Sequence, residues 1–110
     1  MFTAAITGTG VFTPSNIITN AELVRAFNAY ADKVNAAQAE AIAAGEFDAL
    51  QHSSEEFIYK ASGILQRYVM DKDGVLDPDV MHPKLRQRSD DEPSIMAEMG
   101  VDAAQKALRQ

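Results

Sequence analysis

The tetrad Thr19-Asn20-Ala21-Glu22 puts a hydroxyl at a helix N-cap and a carboxylate three residues on. In that arrangement each side chain closes on the other's backbone N–H. Behind it Leu23, Phe27, Tyr30, Val34 and Ala37 recur at alternating steps of four and three, one apolar stripe along a helix. The pattern runs on through Ala41 and Ile42 and stops at Gly45, a residue suited to the position just past a helix C-terminus. The half from Asn35 to Ala44 is rich in alanine and polar residues, so it forms helix readily with only a thin apolar face. Any fold of this chain must carry that helix and cover its stripe.

The other elements are shorter. Residues 3–7 read as a mostly apolar strand, near-continuous in character as a buried central strand is, followed by Gly8-Thr9-Gly10 and by turn chemistry at Pro14, Ser15 and Asn16. A strand entering glycines raises a dinucleotide-binding loop, but the third glycine is missing and Pro14 stands where the helix should open. Ser53-Ser54-Glu55-Glu56 reads as a second capping box, Ser53 to Glu56, opening a short helix with Phe57 and Ile58 that ends near Gly63. Residues 64–70 look like a strand, Asp71 to Gly74 a turn, and Val75-Leu76 a returning strand. A polar loop spans 77–91, and Pro93 suits the first turn of a last helix. The face of that helix is small at Gly100, Ala103, Ala104 and Ala107, which permits close packing. The pattern stops at Gln110 inside that helix, as a fragment does.

Composition narrows the chemistry. With 110 residues, of which 46% are hydrophobic, one small domain with a core is expected rather than a disordered chain. A net charge of -6 argues against nucleic acid as a partner. No apolar run nears the ~20 residues of a membrane helix, and no signal-peptide pattern opens the chain, so a cytoplasmic setting is expected. There is no cysteine, hence no disulfide, thiolate metal site or cysteine nucleophile within these residues. His52 and His82 lack the paired spacing of a zinc site, and the aspartates from Asp71 to Asp79 fail the calcium-loop register, so no metal is expected. Lys84, Arg86 and Arg88 form a basic cluster suited to a phosphate or an acidic protein, or simply to solvent. No catalytic centre is visible.

Three stretches, in order, resemble one family. Residues 6–14 followed by Thr19-Asn20-Ala21-Glu22-Leu23 are similar to the opening of β-ketoacyl-acyl-carrier-protein synthase III enzymes. Glu55-Glu56-Phe57-Ile58, Ser62-Gly63-Ile64 and Arg67 resemble their Asp-Glu-Trp-Ile and Thr-Gly-Ile-x-x-Arg segment. Met99 to Leu108 resembles the long helix that follows. The resemblance implies an α/β chain, the N-terminal part of a thiolase-like layered αβαβα fold left incomplete at residue 110. It also implies a helical insertion at about 28–51 and a loop insertion at about 72–89. The implied enzyme is an acyltransferase that joins an acyl thioester to malonyl-acyl-carrier protein with loss of carbon dioxide, in fatty-acid synthesis. Its Cys-His-Asn set would lie beyond these residues. No cofactor is implied; the substrates are acyl-coenzyme A or acyl-carrier-protein thioesters. Implied partners are the remainder of the enzyme, the carrier protein and a second subunit.

Candidate substrate-binding residues are Phe57, Ser62, Arg67, Lys84, Arg86 and Arg88. Phe57 matches the tryptophan that stacks on adenine in the family, and Ala61 matches an arginine near the coenzyme's phosphates. Both departures weaken coenzyme A contacts and favour a carrier-bound or differently held thioester. The two insertions are expected to pack on each other near that thioester and to offer a basic rim. Rival readings are a small helical interaction module and a non-catalytic relic of the fold.

Overall fold

The computed structural model describes residues 2–110, which fall into two units. Residues 14–85 form the first; residues 2–13 with 86–110 form the second.

The first unit contains β1 (Asn16–Thr19), α1 (Asn20–Ala37), α2 (Ala39–Ala43), α3 (Glu55–Ser62), β2 (Gln66–Val69) and α4 (Lys72–Leu76). The capping box forms as the sequence demands. Thr19 Oγ1 accepts from the Glu22 N–H at 3.3 Å, and Glu22 Oε2 accepts from the Thr19 N–H at 3.0 Å. Lys72 Nζ then reaches the other oxygen of Glu22 at 2.6 Å, tying α4 to the start of α1. Asn20, the first helical residue, is buried; its Nδ2 donates to the Ile64 carbonyl at 2.7 Å and its N–H to that of Leu65 at 3.2 Å. The helix start and the entry to β2 are thus held together by polar contacts that do not depend on a large core.

The predicted helix exists with one interruption. Gln38 leaves helical geometry at ψ 15°, yet its N–H still donates to Val34 and its carbonyl accepts from Ile42, so the axis restarts as α2. Gly45 follows with a φ of 75°. The strand expected around 64–70 is β2, and it pairs antiparallel with β1, Ile17 opposite Tyr68 and Ile18 opposite Arg67. Asn16, read from the sequence as turn chemistry, therefore opens a strand. Ile18 is fully buried beneath that ribbon.

Two expectations fail here. Val75-Leu76 does not return as a strand; residues 72–76 coil into α4. Asp71 Oδ2 accepts the Lys84 N–H, and a Cβ on Gly74 would press on Asp71, on the His82 carbonyl and on Lys84 N, so only glycine lets this turn close. That tertiary packing overrides the strand tendency of valine and leucine. The cap of α3 is also shifted by one residue: Ser54, not Ser53, accepts from the Phe57 N–H, so no capping box with Glu56 forms.

In the second unit, residues 3–7 are not a strand, because no strand within that unit is available to pair with them. They run beside α5 (Ile95–Leu108). Gly8 and Gly10 lie so close to the carbonyls of Ala107 and Ala103 that no side chain fits at either glycine. Gln110 takes the place of a ladder neighbour: its Oε1 accepts the Thr9 N–H at 3.2 Å and its Nε2 donates to the Thr9 carbonyl at 2.6 Å. Ser94, rather than Pro93, begins α5 by accepting from Ala97 N–H.

Among the described residues the apolar side chains that are buried are Ile18, Ala26 and Ala31, while Phe2, Ile6, Val11, Leu65 and Leu108 stand in solvent. Burial on that scale does not offset the roughly 1–2 kcal/mol per residue of backbone ordering. Residues 1–110 expressed alone are therefore expected to melt without a cooperative calorimetric transition and to bind a hydrophobic dye. A sharp two-state melt from a monomer contradicts this.

Candidate functional site

The candidate site starts from the polar side of α1. Asn28, Asp32 and Asn35 stand at i, i+4 and i+7, on one stripe of the helix. Each takes hold of the segment that returns from α2. Asn35 Oδ1 accepts the Leu50 N–H at 2.8 Å and its Nδ2 donates to the Leu50 carbonyl at 2.9 Å. Asn28 grips Ser53 the same way, at 2.8 and 3.2 Å. Between them His52 Nε2 meets Asp32 Oδ1 at 2.6 Å. A carboxamide carries a donor and an acceptor side by side, so each asparagine pairs with a backbone residue as a neighbouring strand would.

This strap fixes where α3 begins. Ser54 follows immediately and accepts the Phe57 N–H at 3.1 Å. Glu55 and Glu56 occupy the first turn, where the helix dipole favours negative charge. Gly63, at φ 69°, closes the helix in the left-handed conformation that glycine adopts without strain. Phe57 is left 66% exposed. Its ring presents an open face to solvent from a short helix capped at both ends.

The remaining candidates divide. The Ser62 hydroxyl donates to the Ile58 carbonyl at 2.7 Å and accepts from the Ile64 N–H at 3.2 Å, which spends its donor on the turn out of α3. Arg67, on β2, donates through Nη2 to Asn20 Oδ1 at 3.0 Å. Its buried Nη1 has no partner among the described residues. Lys84 lies in the same unit and faces Asp77 at 3.4 Å. Arg86 and Arg88 belong to the other unit. There Arg86 forks onto Glu92 at 2.8 and 3.0 Å, and Arg88 onto Glu98 at 2.6 and 2.8 Å. The guanidinium of Arg86 holds the Glu92 carboxyl down at about 2, and that of Arg88 lowers Glu98. Both acids are therefore ionised at neutral pH, and each arginine carries its own counter-charge.

Within the first unit Lys33 Nζ reaches Asp79 Oδ1 at 2.6 Å, joining α1 to the segment after α4. No group of three or more His, Asp and Glu among the described residues is placed to hold a metal ion. No helix among the described residues is long and apolar enough to cross a membrane.

No family model matches the chain. Over 86 residues, 78% of its length, it is 52% identical to a protein of Pseudomonas aeruginosa, and the match spans 25% of that protein. This identity accords with the resemblance of the three spaced motifs to the β-ketoacyl-acyl-carrier-protein synthase III family. The Pseudomonas relative is a beta-ketodecanoyl-[acyl-carrier-protein] synthase.

Two outcomes follow for the full-length polypeptide that carries these residues. Asn35→Ala strips both partners from Leu50, and leaving such groups unpaired costs about 1–3 kcal/mol. Hydrogen exchange at the Leu50 amide is expected to accelerate, with slower amides in β2 unaffected; equal acceleration in both denies the strap a local role. Glu22 is held well below its ordinary 4.5, at about 2, first by Lys72 and then by the Thr19 N–H. A depressed carboxylate stabilises the fold above 4.5 and loses that contribution as pH falls toward 2. The Glu22 carboxyl resonance should titrate near the lower value and move up in Lys72→Met.

Proposed function

We propose that these residues are the thioester-facing N-terminal part of an enzyme that condenses an acyl thioester with malonyl-acyl-carrier protein, releasing carbon dioxide, in fatty-acid synthesis. The observation that carries this is the 52% identity over 86 residues to a named synthase of that reaction type. The name of that relative specifies a ten-carbon β-ketoacyl product. A malonyl donor adds two carbons, so the corresponding starter has eight. On this reading the rest of the polypeptide completes a thiolase-like layered fold, supplies the nucleophile that a chain without cysteine lacks, and forms the subunit contact of a dimer. Cytoplasmic carrier protein delivers the malonyl group.

Phe57 is the residue in this part that we assign to the starter. Its exposed ring offers a stacking face with less area than a tryptophan and no N–H donor. Arg67 is assigned only to holding Asn20 at the start of α1, with a buried Nη1 donor that has no partner among the described residues. Ser62 shapes the turn that ends α3, and its hydroxyl serves the substrate only by giving up a backbone contact. An acidic carrier protein must displace the Asp77 carboxylate to reach Lys84, and those of Glu92 and Glu98 to reach Arg86 and Arg88. That exchange of like for like gives little net attraction.

The test is product formation from octanoyl thioester and malonyl-acyl-carrier protein by the full-length enzyme. Phe57→Ala is expected to raise KM for the starter about tenfold, the loss of roughly 1.4 kcal/mol of stacking, with KM for the malonyl substrate unchanged. Equal losses for both substrates make Phe57 a packing residue. Absence of any β-ketoacyl product removes the condensing reading.

A further inference from the structure

Helix α3 carries the exposed Phe57 ring, yet none of its own residues is buried. Apolar packing alone therefore does little to fix its position. Its two ends are held instead by two asparagines of α1. At the N-terminal end Asn28 accepts the Ser53 N–H at 2.8 Å and donates to the Ser53 carbonyl at 3.2 Å. The next residue, Ser54, receives the Phe57 N–H on its hydroxyl and the Ile58 N–H on its carbonyl, both at 3.1 Å. Beyond the C-terminal end Asn20 donates through Nδ2 to the Ile64 carbonyl at 2.7 Å and through its N–H to that of Leu65 at 3.2 Å.

The spacing of the two clamps matches the helix they hold. Asn20 and Asn28 stand eight positions apart on α1, a rise of about 12 Å. α3 has 8 residues and therefore the same rise. The order of the contacts makes α3 run opposite to α1, tied at both ends. Asn20 has a further commitment, since its Oδ1 accepts from Arg67 Nη2 on β2 at 3.0 Å. Asn28 has none: among the described residues its side chain bonds to Ser53 alone. Its effect is confined to the end of α3 that presents Phe57.

We propose that Asn28 is a positioning residue for the acyl starter, because it holds the end of α3 from which the Phe57 ring meets that substrate. The proposal rests on the condensing-enzyme reading and on the assignment of Phe57 within it, and it adds a residue that does not itself touch the starter.

The test is a double-mutant cycle in the full-length enzyme, with octanoyl thioester and malonyl-acyl-carrier protein as substrates. Asn28→Ala is expected to raise KM for the starter about tenfold, with kcat and KM for the malonyl substrate unchanged, since a misplacement of about 1 Å costs up to roughly a hundredfold. Asn28→Gln, which keeps donor and acceptor side by side, should return KM toward the native value. Asn28→Ala combined with Phe57→Ala should be no worse than Phe57→Ala alone, because the clamp then has no ring to place. Hydrogen exchange gives a readout independent of turnover: the Ser53 and Phe57 amides should exchange faster in Asn28→Ala, with those of β2 unchanged. If Asn28→Ala does not fold, Asn28→Asp, which keeps the acceptor and loses the donor, takes its place in the cycle. Effects of the two substitutions that multiply, or equal losses for both substrates, overturn the positioning role and leave the condensing reading standing. A wild-type enzyme that forms no β-ketoacyl product removes the condensing reading and this proposal with it.

Discussion

Two asparagines and an aspartate on one stripe of α1 do the work that a third strand would do elsewhere. A segment returning from a helical excursion exposes backbone donors and acceptors that must be satisfied. With no sheet edge beside residues 50–53, the side chains of Asn28 and Asn35 satisfy those of Ser53 and Leu50 instead, and Asp32 holds the His52 ring between them. The N-cap of α3 sits at Ser54 because the residue before it, Ser53, is the one clamped. A small apolar core gives this unit little other means of fixing a loop. Polar pairing at defined distances gives position where burial would give only adhesion.

What was legible in the sequence is what short-range chemistry decides. The capping box at Thr19, the stop at Gly45 and the closure at Gly63 depend on residues within a turn of one another, and each is realised, whereas the apolar stripe of α1 is only half covered, with Tyr30 and Ala37 exposed. Val75-Leu76 was misread because its fate is set by Asp71 and Lys84, thirteen positions apart. Residues 3–7 were misread because a strand is a property of two segments, and their own unit holds none to pair with. Of the candidate site, Phe57 was visible through its motif, whereas the strap was not. Asparagine is an indifferent helix former. Two of them on one stripe, separated by an aspartate, were the signal available.

The basic cluster shows the opposite limit. Lys84, Arg86 and Arg88 look like a cationic patch when read alone, yet Asp77, Glu92 and Glu98 accompany them. A sequence displays the cations together because they alternate within five residues, while their carboxylates are scattered over twenty-two. Pairing of this kind specifies the path of a loop more than it attracts a partner.

The close approach of Gly8 and Gly10 to Ala107 and Ala103 has a bearing on biosynthesis. The two partners lie at opposite ends of this stretch of polypeptide, about a hundred residues apart. At 5–20 residues per second the ribosome needs roughly 5–20 s to make the second after the first. Through that interval Gly8 and Gly10 have no helix to lie against, while the whole of residues 14–85 is already synthesised. The leading segment must wait unpaired until α5 is made, and a chaperone that recognises short extended apolar peptides would meet it in that interval.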